Sequence, residues 1–220
     1  MQADTEVLLK SGLWVEYASL AWMAVEGFVS IYSGLMVWSL ALLAFGGDSV
    51  VELLSSFAVV RHLREITTAQ TLGTHVDDSR TEWVTAILLF SLIPVITLGA
   101  TYSLLTGIQP EASPLGIGVA FGAVVIMPIL WYQKRRIGKM CNCLPLEIDA
   151  SESATCFLMS IALLVGLVIN YFLTLPWIDY LVTMVILIFV IREAADSLRE
   201  VSAKRHCSSS RAGLVPNTVQ

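Results

Sequence analysis

Long apolar runs alternate with short polar connections along most of the 220 residues. A helix needs roughly 20 apolar residues to cross a hydrocarbon core about 30 Å thick. Six runs approach or exceed that length, and short turns at Ser33-Gly34, Gly107–Pro114 and Thr174–Pro176 join them in pairs. The pattern predicts an all-α integral membrane protein with six transmembrane helices, at Leu13–Tyr32, Val37–Val60, Trp83–Leu105, Leu115–Tyr132, Ile148–Leu173 and Trp177–Ile191.

The composition supports a membrane protein and excludes several other classes. Hydrophobic residues make up 56% of the chain and charged residues 14%, and the mean hydropathy is +0.74, which is outside the range of soluble domains. A net charge of −5 argues against a nucleic-acid partner, which requires a basic face. The four cysteines lack the spacing of a disulfide framework. The lipid bilayer is therefore the expected environment.

The basic residues predict the orientation of the helices. All 13 lysines and arginines fall in the N-terminal segment, the two longer loops or the C-terminal region, and none falls in the three short turns. The positive-inside rule then places both termini in the cytoplasm. We expect a cytoplasmic N-terminal segment over residues 1–12, a six-helix domain over residues 13–203, and a flexible cytoplasmic tail over residues 204–220 without helical pattern.

Two carboxylates lie near the middle of the second predicted span. An ionised carboxylate at the bilayer centre costs on the order of 3 kcal/mol even on the mildest insertion scale. Asp48 and Glu52 are four residues apart, so they lie on one helical face about one turn from each other. They repel unless a cation or a proton lies between them, which predicts a cation site. Alternatively, one is protonated and both bond to a neighbouring helix. Gly46-Gly47 just before them would permit local distortion of the helix.

The fifth predicted span carries Asp149, Glu152 and Cys156 at helical spacing. Because the second and fifth spans run in opposite directions, Glu152 and Cys156 can reach depths similar to those of Asp48 and Glu52. Four ligands from two facing helices would form a tetrahedral site, and Asp149 is a further candidate ligand. Carboxylate and thiolate groups suit a divalent transition ion such as Mn²⁺, Fe²⁺ or Zn²⁺.

Several of these groups also have interpretations without a metal. Cys156 can be a small buried hydrophobe, and Asp149 can be an acid that complements the N-terminal end of a helix dipole. Glu26, in the middle of the first span, is an auxiliary ligand, a proton carrier or a hydrogen-bonded packing residue. We expect Glu16 to be solvated at interfacial depth and Asp179 to be an ordinary acid at the start of the sixth span.

The predicted cytoplasmic loops contain two further polar clusters. They consist of His62, His75, Asp77, Asp78 and Glu82 in one loop and Cys141-Asn142-Cys143 in another. Either cluster could pass a metal towards the membrane, but solvated loop chemistry is the simpler interpretation. The basic run Lys134-Arg135-Arg136 fits contact with lipid headgroups.

At the acidic residues the sequence resembles the cation diffusion facilitator family. The six-helix membrane domain of that family carries D-x-x-x-D on its second helix and H-x-x-x-D on its fifth. The stretch L-L-A-F-G-G-D-S-V-V-E-L puts Asp48 and Glu52 in the two positions of the first motif. In the second motif, Glu152 takes the histidine position and Cys156 that of the final aspartate. These departures leave manganese, iron or a broader range of ions open beside zinc.

The resemblance covers roughly residues 10 to 200 and implies a secondary transporter rather than an enzyme. Members of the family move a divalent metal out of the cytoplasm, typically in exchange for protons, by alternating access and as homodimers. The ion is the substrate, and no other cofactor is expected. The sequence ends where the family usually begins a cytosolic metal-binding domain, so we expect a short member without it.

Two other functions use the same acids. A divalent-cation channel would conduct through the carboxylates without saturation or proton coupling. A structural membrane subunit would use them only as hydrogen bonds between helices. An intramembrane enzyme is disfavoured, because the sequence has no H-E-x-x-H, G-x-S-x-G or paired-aspartate signature.

Overall fold

The fold is known from a computed structural model, which describes residues 2–69, 79–107, 110–111, 113–141, 144–175 and 177–212. These residues form six α-helices. Their bounds are α1 Gln2–Val37, α2 Leu40–Ala69, α3 Ser79–Thr106, α4 Pro114–Cys141, α5 Leu144–Leu173 and α6 Trp177–Ala212. The predicted all-helical class is confirmed.

Four of the described helices contain a segment that is long and apolar enough to cross a bilayer. The segments are Lys10–Val37, Leu40–Arg61, Pro114–Cys141 and Leu146–Leu173. In α3 the corresponding apolar segment is shorter, from Phe90 to Thr106. The helices are thus those of an integral membrane protein. Spans in α3 and α6 and the orientation of the termini stay predictions.

The helices extend past the predicted spans, and two of their ends correct the sequence pattern. The first turn is at Trp38-Ser39 rather than at Ser33-Gly34, because α1 continues to Val37. Gly34 instead lies where α1 meets α2, and a Cβ atom there would come within 3.0 Å of the backbone nitrogen of Leu43. At the other end of the chain, α6 remains helical to Ala212, although the sequence pattern predicted no helix after about Ala203.

The helices pack so that α2 lies near the centre. Helix α1 packs against α2 and α4, α4 packs against α5, and α3 packs against α6, while α2 also contacts α3, α5 and α6. Phe45 and Leu42 of α2 are fully buried beside Met127 of α4 and Met159 and Leu163 of α5. Side chains on the inner faces of α2 are therefore surrounded by the other helices.

Gly46 allows a close approach of α1 and α2. A Cβ atom at this position would lie 2.9 Å from the backbone nitrogen of Ile31, closer than real Cβ contacts. Small residues at such crossings let membrane helices pack backbone to backbone. Helix α2 continues without a break through Gly46-Gly47. Both glycines lie against neighbouring helices here, and the local distortion that they would permit stays a prediction. The contact brings Glu26 of α1 beside the acidic turn of α2.

Candidate metal site

Asp48 and Glu52 are the acids with the fewest partners. Their exposed fractions are 0% and 1%, and none of their four carboxylate oxygens has a hydrogen-bond partner among the described residues. They lie one helical turn apart on α2, and their carboxylates interact electrostatically with each other. A buried carboxylate without a partner is strongly unfavourable in its charged form. The pair therefore requires protons or a cation.

Glu26 and Cys156 meet beside this pair. The Sγ of Cys156 on α5 donates to Oε1 of Glu26 on α1 at 3.4 Å, and the Oγ of Ser49 on α2 donates to the same oxygen at 2.9 Å. Glu26 and Cys156 are both fully buried. The thiol of Cys156 also interacts electrostatically with Asp48 and Glu52. Three helices thus bring four of the predicted residues into one region.

Glu152 faces α2 slightly further along the bundle. Its Oε1 accepts a hydrogen bond from the Oγ of Ser55 at 3.2 Å, and its carboxylate interacts electrostatically with that of Glu52. Glu152 is half-buried, whereas Glu52 is almost fully buried. The prediction that α5 presents Glu152 towards the acids of α2 agrees with this contact.

Asp149 belongs to a different group of charges. Its carboxylate pairs with the ammonium group of Lys134 on α4 and accepts a hydrogen bond from the Oγ of Ser56 at 2.7 Å. The Nζ of Lys134 also lies 3.5 Å from Oε2 of Glu16 on α1. The three charged side chains are at most 1% exposed. We call Glu16, Lys134 and Asp149 the lysine triad.

The lysine triad corrects two expectations. Glu16 was expected to be solvated and Lys134 to reach lipid headgroups, but both are fully buried. The reason is their position on the inner helix faces, since Lys134 follows the buried Met127 and Leu130 at helical spacing. Asp149 forms an ion pair with Lys134, which sets it apart from the other predicted ligands.

Asp179 links the start of α6 to the start of α2. Its carboxylate accepts hydrogen bonds from the Oγ of Ser39, from the backbone N–H of Leu40 at 3.0 Å and from that of Ala41 at 3.4 Å. These are N–H groups that have no partner within a helix, so Asp179 caps α2. Its role is structural, although it caps a neighbouring helix rather than its own.

The family model described as the cation efflux transmembrane domain matches residues 17–203, which is most of the chain. The chain belongs to the cation efflux family. The resemblance to the cation diffusion facilitators is thereby confirmed. Members are multi-pass membrane transporters of divalent cations rather than enzymes, and the metal ion is their substrate. No curated protein matches the chain.

The acids of this cation efflux domain lie near one another, but they do not form a metal-coordination geometry. Within the side chains that the structure describes, no three His, Cys, Asp or Glu residues lie close enough together to hold one ion. Most of the two loop clusters lies outside the described residues. This applies to His75, Asp77, Asp78, Asn142 and Cys143 and to the side chains of His62 and Glu82. The Sγ of Cys141 donates to the backbone carbonyl of Ile137 at 2.8 Å.

Sequence reasoning missed three kinds of polar residue that the structure places near the acids. Ser49, Ser55 and Ser56 of α2 donate to Glu26, Glu152 and Asp149. Lys134 and Glu193 were not singled out as candidates either. Helical periodicity is the signal that finds Lys134, because it follows the buried Met127 and Leu130 on one face of α4.

Proposed function

We propose that this cation efflux domain exports a divalent transition-metal ion of the zinc, manganese and iron class. In this proposal Asp48, Glu52 and Glu152 bind the ion in transit. The observation that carries it is the full burial of Asp48 and Glu52 with no hydrogen-bond partner for either carboxylate among the described side chains. A divalent cation supplies the charge that such a pair lacks.

Cys156 and Glu26 complete the proposed site and couple it to protons. The thiol of Cys156 points its hydrogen at Glu26 over 3.4 Å. A cation bound beside the thiol favours transfer of that proton to Glu26, which turns Cys156 into a thiolate, the form in which cysteine binds metals. Asp149 is left out of the direct ligand set, because Lys134 compensates its charge.

The transport cycle follows from competition between protons and the metal for the same carboxylates. Alternating access exposes the site first to the cytoplasm and then to the opposite side, where protons replace the ion. The positions of all 13 basic residues support cytoplasmic termini. Export from the cytoplasm is the direction that the family resemblance favours. A homodimer is the assembly that the family resemblance favours.

Metal flux into proteoliposomes tests this function. We expect the parent chain to take up Mn²⁺, Fe²⁺, Co²⁺ or Zn²⁺ with saturation and to move protons in the opposite direction. Asp48→Asn, which keeps the shape of the side chain and removes its charge, reduces uptake to the level of protein-free liposomes. Glu111→Gln, at an exposed acid in the connection between α3 and α4, serves as the matched control and transports like the parent.

Three outcomes contradict the proposal. Uptake that rises linearly with metal concentration and moves no protons indicates a channel. An Asp48→Asn protein that transports at the parental rate removes the proposed site. A chain that transports no metal, but assembles poorly when Asp48 is neutralised, indicates a structural subunit.

A further inference from the structure

Helix α6 contributes another carboxylate to the region of the proposed site. Glu193 follows Val190 by three residues and Ile186 by seven, and both of these are fully buried. The next residue, Ala194, is also buried at 1% exposure. At 100° per residue these positions share one face of the helix. Glu193 therefore lies on the side of α6 that packs into the bundle.

The known electrostatic partners of Glu193 are other acids. Its Oε2 is buried and has no hydrogen-bond partner among the residues that the structure describes. Its carboxylate interacts electrostatically with those of Asp48, Glu152 and Asp196, and Glu52 interacts with it in turn. Asp196 is exposed, but Asp48 and Glu52 are fully buried and Glu193 and Glu152 partly so. Like charges repel one another there, so this arrangement favours a shared cation.

The contact between Asp179 and α2 shows how far along the bundle axis Glu193 lies relative to the acids of α2. Because the Asp179 carboxylate bonds to the N–H of Leu40, these two residues mark the same level of α6 and α2. At 1.5 Å per residue, Glu193 lies about 21 Å further along α6, while Glu52 lies about 18 Å from Leu40 along α2. Ser55, the contact of Glu152, lies at about 22 Å on the same scale.

We infer that Glu193 is a further ligand for the transported cation, between the levels of Glu52 and Glu152, and that it biases the site towards ions that prefer oxygen. This inference rests on the function proposed above. With Glu193, the proposed ligand set of the transported ion contains four carboxylates, from α2, α5 and α6, and one thiol, that of Cys156. An oxygen-rich ligand set favours Mn²⁺ or Fe²⁺ over Zn²⁺.

Competition between Mn²⁺ and Zn²⁺ for uptake into proteoliposomes tests the inference. Glu193→Gln raises the KM for Mn²⁺ by about tenfold or more, the scale of loss typical when a group that supports metal binding is removed. The KM for Zn²⁺ changes much less, so the preference shifts towards Zn²⁺. Glu193→Asp, which keeps the charge, restores much of the Mn²⁺ uptake, and Glu111→Gln keeps the parental ratio.

The comparison with Asp48→Asn separates the two proposals. If Asp48→Asn abolishes uptake and Glu193→Gln keeps the parental KM values, the inference about Glu193 is wrong and the proposed function stands. Equal losses for both metals together with a lower unfolding temperature also contradict it, because they indicate a structural role. If Asp48→Asn transports normally, the proposed function itself is wrong.

Discussion

Lys134 divides the buried acids into two groups with different surroundings. The ammonium group of Lys134 pairs with Asp149 and lies 3.5 Å from Glu16. It reaches Glu52 only through a longer electrostatic interaction, and Asp48 and Glu52 have no hydrogen-bond partner in the described part of the chain. A buried charge that is paired is far less unfavourable than one that is not. The first group can thus be a permanent part of the fold, and the second is the one available to an ion.

Removal of the lysine should destabilise the fold. In Lys134→Met the carboxylates of Asp149 and Glu16 lose their cation, which costs about 3–5 kcal/mol for a buried pair. Thermal unfolding in detergent measures the loss. Lys139→Met, at an exposed lysine of the same helix, is the control and unfolds like the parent.

A second substitution shows whether charge is the cause. Asp149→Asn in the Lys134→Met background removes one of the unpaired carboxylates and should recover part of the lost stability. Equal unfolding temperatures for Lys134→Met and Lys139→Met would show that the lysine triad contributes nothing.

The sequence predicted which acids face the interior better than it predicted their partners. Helical spacing indicates Asp48, Glu52 and Cys156, which lie beside Glu26, and Glu152, which faces α2 slightly further along the bundle. The partner of Asp149 was not found, because spacing within one helix does not show which face of another helix lies opposite. Periodicity alone would have placed Lys134 on a buried face beside Met127 and Leu130.

At the scale of the helices, the close crossing of α1 and α2 holds Glu26 beside the acidic turn of α2. Gly46 lies two residues before Asp48, and α1 passes close to it with Ile31, five residues after Glu26. The sequence predicted two of the three turns, but only two of the three predicted hairpins pack together. Helix α1 packs against α2 and α5 against α6, whereas α3 packs against α2 and α6 rather than α4 in the described residues. The sequence placed the first turn too early at Ser33-Gly34, because a glycine that allows close packing has the same sequence signal as one that ends a helix.

Enlarging Gly46 should push α1 and α2 apart. The added methyl group of Gly46→Ala would lie 2.9 Å from the backbone nitrogen of Ile31, which cannot rotate away. Overpacking of this kind costs about 1–3 kcal/mol. We expect a lower unfolding temperature and slower metal uptake.

Gly118 provides a matched comparison for that substitution. A Cβ atom at Gly118 in α4 would meet nothing within 4 Å. Alanine there gains about 1 kcal/mol of helix propensity, so Gly118→Ala should be neutral or slightly stabilising in the same unfolding experiment. If Gly46→Ala and Gly118→Ala behave alike, the close crossing of α1 and α2 is not required.

The molecule as a whole holds an excess of buried negative charge. Among the described residues, six acids and one lysine are at most 6% exposed. Asp179 is satisfied by the start of α2, and Lys134 pairs with Asp149 and Glu16, one positive charge against two negative ones. Glu26, Asp48 and Glu52 form no ion pair within the described part of the chain. This imbalance is what a transporter of divalent cations requires, and the match to the cation efflux transmembrane domain agrees with it.

The fold class followed from the length of the apolar runs, since a helix is one of the few structures that satisfy the backbone in lipid. Four of the six predicted spans coincide with helices that can cross a bilayer by length and composition. The polar part of α6 was harder to predict, because a helix outside an apolar environment has no hydropathy signal.

Direct binding of Mn²⁺ to the purified protein tests the central claim that Asp48 and Glu52 hold the transported ion. Electron paramagnetic resonance of free Mn²⁺ measures the affinity in detergent. We expect saturable binding that weakens as the pH falls, because protons and metal compete for the same carboxylates. Asp48→Asn and Glu52→Gln should each abolish this binding, while Glu111→Gln leaves it unchanged. Mn²⁺ binding of parental affinity in Asp48→Asn and Glu52→Gln would contradict the account.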